Sequence, residues 1–184
     1  DVYGKALMFS LIGKTFLDIF DLDKALKYYT RLLKTSKEIS DSDYTAEALF
    51  YIGFIYSDIG ELYEALEYYM EALKIDEELK DTSNIIIDLS NIGIVHYNIG
   101  DYDKVEEKLK KSLAIQKQIG ELSLETNTYL YLTYKHLDKD YDENEIHALI
   151  KETENIEFKL NLRLYELLEE KSYLETAFKQ VQEK

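Results

Sequence analysis

The chain contains no cysteine, no proline and no tryptophan, and only seven of its 184 residues are glycine. Without cysteine, disulfides, zinc–thiolate sites and a thiol nucleophile are excluded. Absence of proline favours long helices joined by short turns, because proline would interrupt them. Positive charge is scarce: 22 basic residues stand against 37 acidic ones, a formal net charge of −15. Non-specific binding to nucleic acid or to anionic membranes needs basic surface, so neither is expected as a partner. The excess acid permits attraction to basic partners, and it also keeps exposed helix faces soluble. No apolar run approaches the ~18–20 residues needed to span a bilayer. The stretch Met8–Ile12 is flanked by Lys5, Lys14 and Asp18 and lacks the form of a secretory signal. The chain opens on Asp1, which reads as a processed product or an excised piece, and a cytoplasmic setting is expected.

What the chain does have is repetition. Gly13, Gly53 and Gly93 fall forty residues apart, and Thr133 takes the next beat. Phe9, Leu49, Leu89 and Tyr129 run in step, as do Phe16, Tyr56, His96 and His136. A period in this range marks stacked supersecondary units, which present long surfaces to partners. In the clearest copy, Leu49, Ile52, Gly53, Tyr56 and Ile59 define one face of a helix. Gly60 then supplies a left-handed stop. Leu62, Ala65, Leu66, Tyr69, Leu73 and Asp76 define a second helix, with Glu61 and Glu64 at its positive end. Glycine inside a helix costs about 1 kcal/mol relative to alanine, so Gly53 and Gly93 are predicted to be packing residues. Ala25, Ala65 and Val105 are their expected small partners.

Leu49…Ile52-Gly53…Tyr56…Gly60…Leu62…Ala65…Tyr69…Ala72 resembles the tetratricopeptide repeat, and Ile99-Gly100-Asp101-Tyr102 is similar to that family's turn. The resemblance covers roughly residues 3–156, in a longer variant of the usual repeat. It implies an all-α, right-handed solenoid forming one domain over 1–184. Its four repeats would lie at about 3–40, 43–80, 83–120 and 123–156, with a terminal helix pair at 157–184. The copies are unequal: Phe20 stands at a turn where glycine is usual, Ser112 replaces an alanine, and Thr133 replaces a glycine. Asp142–Thr153 reads as a shortened helix with Ile146, Leu149, Ile150 and Thr153 inward. Phe158–Lys171 reads as another helix, and Ser172–Glu175 as a capping box that starts the last one.

Catalysis is not expected. His96 and His136 share the column of Phe16 and Tyr56, which packs between paired helices, and His147 has no ligand partner at metal spacing. Acidic pairs such as Glu77-Glu78 read as solvated helix faces. There is no phosphate loop and no nucleophile motif, and no metal or cofactor is expected.

In a tetratricopeptide array the first helices of the pairs line the concave side, so the resemblance implies groove columns there. They give a peptide-binding set of Tyr51, Phe54, Asn91, Ile94, Asn98, Tyr131 and Tyr134. Aromatic rings supply contact area and amides bond a peptide backbone. Phe50 and Phe54 stay open between groove exposure and packing against the next repeat, whereas Tyr51, Asn91 and Tyr131 read as exposed. The family's chaperone-binding clamp needs several basic and amide groove residues. Only Lys14 and Asn91 are similar to it here, among Asp18, Asp58 and Asp138. The groove is more similar to those of longer-repeat relatives, bacterial peptide-sensing regulators and eukaryotic cell-polarity scaffolds.

Two functions follow from the resemblance. One is a scaffold holding a peptide or partner helix. The other is a regulatory or dimerisation segment of a larger signalling protein such as a kinase, nucleotide cyclase or transcription regulator. The tail Leu164–Glu175 is similar to the end of arrays linked to cyclase-type proteins. Apolar residues cover most of the first helix, which is expected to be shielded by upstream sequence or by a second copy in a weak homodimer.

Overall fold

The computed structural model describes residues 2–182, and among these there are ten helices and no strand. Contacts group the chain into two compact units, Asp1–Ile99 and Gly100–Lys184.

The first unit holds α1 (Val2–Asp18), α2 (Leu22–Ile39), α3 (Ser42–Ile59), α4 (Leu62–Leu79) and α5 (Thr82–Ile99). Each helix packs on the next in sequence, and α1 also touches α3. The joint after α1 is three residues long, the next three joints are two residues long, and all are built to one plan. A left-handed residue ends each helix, at Phe20, Ser40, Gly60 and Lys80. The following N–H returns to the last turn: Asp21 N donates to Phe16 O at 2.9 Å, Asp41 N to Ser36 O at 2.9 Å, and Asp81 N to Asp76 O at 3.0 Å. These bonds satisfy carbonyls that the helix end leaves open. The same acidic residue starts the next helix. Asp21 Oδ1 accepts from Lys24 N, Asp41 Oδ1 from Tyr44 N and Asp81 Oδ1 from Asn84 N.

The core of this unit lies where glycine meets tyrosine. Tyr29 and Tyr69 are fully buried. A Cβ added at Gly13 would meet the Tyr29 ring at 2.9 Å, and one at Gly53 would meet the Tyr69 ring at 3.1 Å and the Ala65 carbonyl oxygen at 3.3 Å. The packing role expected of Gly53 holds, but the group it admits is mainly a ring. The small residues Ala25 and Ala65 are themselves fully buried. The Phe16 and Tyr56 column stacks on second-helix rings, Phe16 on Tyr28 at 5.6 Å and Tyr56 on Tyr68 at 5.4 Å. On α1, Leu11 is 57 % exposed, and Ile19 and Phe20 beyond its end are also exposed.

The second unit holds α6 (Tyr102–Ile119), α7 (Leu124–His136), α8 (Glu143–Glu152), α9 (Phe158–Leu168) and α10 (Lys171–Gln182). Helix α7 packs on α6, α8 and α9, and α9 pairs with α10. Ile146 and Leu149 of α8 are buried as expected, whereas Thr153 is exposed and serves as the helix terminus. Helix α9 stops at Leu168, three residues short of the expected Lys171, because Glu169 turns left-handed with φ of 59°. Helix α10 starts at Lys171, so Ser172 lies inside its first turn and not at its cap. His136 stacks on Tyr102 with centroids 4.6 Å apart. His96, in the first unit, is buried.

Candidate functional site

In the first unit, α3, the end of α4 and the start of α5 enclose a cavity of about 180 Å³. Its apolar walls are Ala46, Phe50, Tyr51 and Ile87, and its polar lining is Glu47, Asp76, Asn84 and Asp88. The ring of Phe50 stands edge-on to Tyr51 at 5.1 Å, and Tyr51 stacks on Tyr29 at 4.6 Å. Ser10 Oγ donates to Glu47 Oε1 at 2.5 Å, which ties α1 to α3 at the cavity wall.

The floor is an acidic pair. Asp76 on α4 is 3 % exposed and Asp88 on α5 is 1 % exposed. Their carboxyls hydrogen-bond to each other, and Asn84 Nδ2 donates to Asp76 Oδ1 at 3.5 Å. Burial, and then the neighbouring Asp76, push the Asp88 carboxyl well above the ordinary carboxylate range. Burial likewise raises Asp76. Asp88 Oδ2 is buried and has no hydrogen-bond partner, as is Tyr29 Oη behind Tyr51. Unsatisfied buried polar atoms are rare in folded proteins and call for an explanation.

Of the expected site residues, five lie in this unit. Tyr51 lines the cavity but is half-buried, since its ring packs across α2 and α3. Burial, followed by Glu47 and Asp18, raises its hydroxyl pKa. Phe54 is 37 % exposed and Asn98 is exposed. Asn91 and Ile94 are half-buried, and Asn91 Nδ2 donates to Ile87 O at 2.9 Å within its own helix.

The other two lie in the second unit. Tyr131 is not exposed as expected but buried. Its Oη donates to Glu145 of α8, and its ring stacks on Tyr134 at 6.0 Å and on Tyr141 at 5.3 Å. The link that follows the short α7 folds Tyr141 back over Tyr131. Tyr134 is half-buried, with the Lys110 and Lys139 ammoniums 5.6 Å and 6.0 Å from its ring centroid. Both lysines pair with Glu106 at 2.5 Å, whose carboxyl they hold below its ordinary pKa. Among the described residues no cluster of three or more potential ligands could hold a metal, and no helix is long and apolar enough to cross a membrane.

The sequence reading missed Asp88, Asn84 and Glu47. The available signal was periodic. Asp88 takes the position held forty residues on either side by Ala48 and Thr128, both fully buried. An acid in a buried column marks a site, and Asp76 had already fallen on the inward face of its helix.

The family model of the tetratricopeptide repeat matches residues 5–78 and 44–118. Several solved structures share the fold. RapI in its apo form superposes with a TM-score of 0.82 at 19% identity, over 100% of this chain and 70% of that one. BtubC from P. vanneervenii gives 0.73 at 21% identity, over 85% and 68%. The tetratricopeptide domain of Arabidopsis FLU gives 0.61 at 20% identity, over 64% and 99%. No curated protein gives a significant match. The fold is all-α, of the helical-solenoid type these structures share.

Proposed function

This chain belongs to the tetratricopeptide-repeat family, and from that membership we propose that it is a protein-interaction scaffold whose first unit holds a peptide or partner helix against α3 and α5. The family's fold is an interaction scaffold, and this reading calls for no catalytic step and no cofactor. The observation that carries it is the cavity, which sets apolar walls beside a few buried acceptors. That mixture is typical of sites that bind by burying a side chain and orienting it with polar groups. Phe54, Asn91, Ile94 and Asn98 supply the surrounding contact surface. In the second unit, taken by itself, Tyr134 is a half-buried ring backed by the buried Tyr131.

Selection of ligands from a randomised peptide library on the full chain tests the reading. Affinities of the selected peptides should fall roughly tenfold in Phe54→Ala with Asn98→Ala, since these exposed side chains contribute contact and not core packing. Unchanged affinities in the folded double variant would overturn this placement of the site.

The exposed apolar residues of α1 support a second reading, in which the chain is a regulatory or dimerisation segment of a larger signalling protein. Its experiment is a sedimentation series.

A further inference from the structure

A buried polar residue recurs near the end of the second helices at forty-residue intervals, as Ser36, Asp76 and Gln116. Two of these three are satisfied by their own surroundings. Ser36 Oγ donates to Leu33 O at 3.1 Å and accepts from Thr45 Oγ1 at 2.9 Å. Gln116 Nε2 donates to Ser112 Oγ at 3.0 Å and Thr126 Oγ1 at 3.3 Å, while its Oε1 accepts from Ser123 N at 2.8 Å. Asp76 instead faces Asp88, another acid, and Asp88 Oδ2 is left buried and unpartnered on the cavity lining. An acceptor in such a place waits for a donor from outside.

The geometry points to this cavity as a receptor for a basic side chain, an arginine guanidinium carried by a peptide partner, seated between Asp76 and Asp88. The charged residues of the lining, Glu47, Asp76 and Asp88, are all acidic. A guanidinium has five donors and no acceptor, and its planar fork suits two carboxyls presented by two helices. The Phe50 and Tyr51 rings give it surfaces to stack on. The cavity volume of about 180 Å³ is several times the roughly 30 Å³ share of one water. The chain's net charge of −15 favours the approach of such a partner. When the cavity is empty, the pair is held by a shared proton, and entry of the cation releases that proton to solvent. Asp43 of α3 and Asp81 of the α4–α5 turn add negative charge around Asp76, which favours a cation at the pair.

This inference rests on the peptide-binding reading, and the two fail separately. The probe is N-acetyl-arginine amide, titrated into the isotope-labelled full chain and followed by amide NMR shifts. N-acetyl-citrulline amide serves as the uncharged isostere and N-acetyl-lysine amide as the point-charge control. Saturable shifts are expected at Asn84, Ile87 and Asp88, with citrulline weaker by roughly tenfold or more, the worth of a charge-assisted hydrogen bond. Lysine is expected to fall between them. Arginine should bind more tightly as pH rises, because the displaced proton is released. Asp88→Asn keeps the shape and should abolish the arginine preference. No saturable shift in the wild-type chain, equal binding of citrulline, or an arginine preference retained in folded Asp88→Asn would overturn the inference. Should that variant fail to fold, the wild-type comparison of arginine with citrulline still decides. Library peptides that bind through Phe54 and Asn98 without needing arginine would sink this inference alone. Arginine amide binding with no library peptide selected would sink only the peptide reading.

Discussion

The Tyr69 ring lies against the bare backbone of Gly53, 3.1 Å from where a Cβ would stand. The contact joins α3 to α4, and Tyr29 makes the same contact with Gly13 between α2 and α1. Both tyrosines are buried on all sides, so neither ring has room to retreat. Gly53→Leu should therefore separate α3 from α4 and cost about 1–3 kcal/mol through overpacking, even though glycine is itself a poor helix former. Thermal unfolding measures this; a midpoint equal to that of the parent chain would contradict the packing role.

The left-handed turn residues make an opposite prediction. Lys80 has φ of 60°, a conformation that costs a residue with a side chain about 1–2 kcal/mol. Gly60, at the corresponding turn after α3, has φ of 89° and open space around it, so its value there is conformational. Lys80→Gly should raise stability by about 1 kcal/mol, after the greater freedom of glycine in the unfolded chain is discounted. Chemical denaturation reads it as a shift in midpoint at constant slope.

The Asp76–Asp88 pair gives a pH dependence with a definite sign. Asp88 holds its proton up to about pH 8 in the folded chain, whereas its ordinary value is 3.8. An acid whose folded pKa is raised stabilises fully below its unfolded pKa, and that contribution is lost as pH climbs to the folded value. Stability should therefore decline from about pH 4 towards pH 8, with Asp81 and Asp43 also disfavouring ionisation of the Asp76 partner. Asp88→Asn puts an amide donor opposite Asp76 and should flatten that slope. At pH 7 it should be more stable than the parent chain, which alone must take up a proton to fold there. Denaturation at a series of pH values is the measurement. A slope identical in the variant would show that the pair is not the titrating element.

Helix α1 makes the fourth prediction. With Leu11 57 % exposed and further apolar residues on the same helix open, association of two copies would bury area at roughly 25 cal/mol per Å² against the entropy of association. Sedimentation over a wide concentration range should show a weak dimer that Leu11→Glu removes. Phe16→Glu serves as the folding control, since Phe16 stacks on Tyr28 and carries the Lys24 ammonium 5.0 Å over its ring. A strictly monomeric parent at all concentrations would dismiss the dimer.

The order of helices in this protein was legible in the sequence because it rests on local chemistry repeated at a fixed interval. Leu49, Ile52 and Tyr56 share a face through helical spacing alone, and Gly60 marks an end that depends on a few neighbouring atoms. The packing role of Gly53 could be read for the same reason, since glycine in a helix needs a cause. What the sequence could not determine was which polar and aromatic groups face one another. Tyr131 sits in a groove column, but the link after α7 brings Tyr141 and Glu145 over it, and a column count carries no information about that closure. Asp76 and Asp88 are each unremarkable acids among 37 acidic residues. Only the packing of α4 on α5 sets them together away from water, where low dielectric turns an ordinary carboxyl into a proton-holding pair with an acceptor to spare.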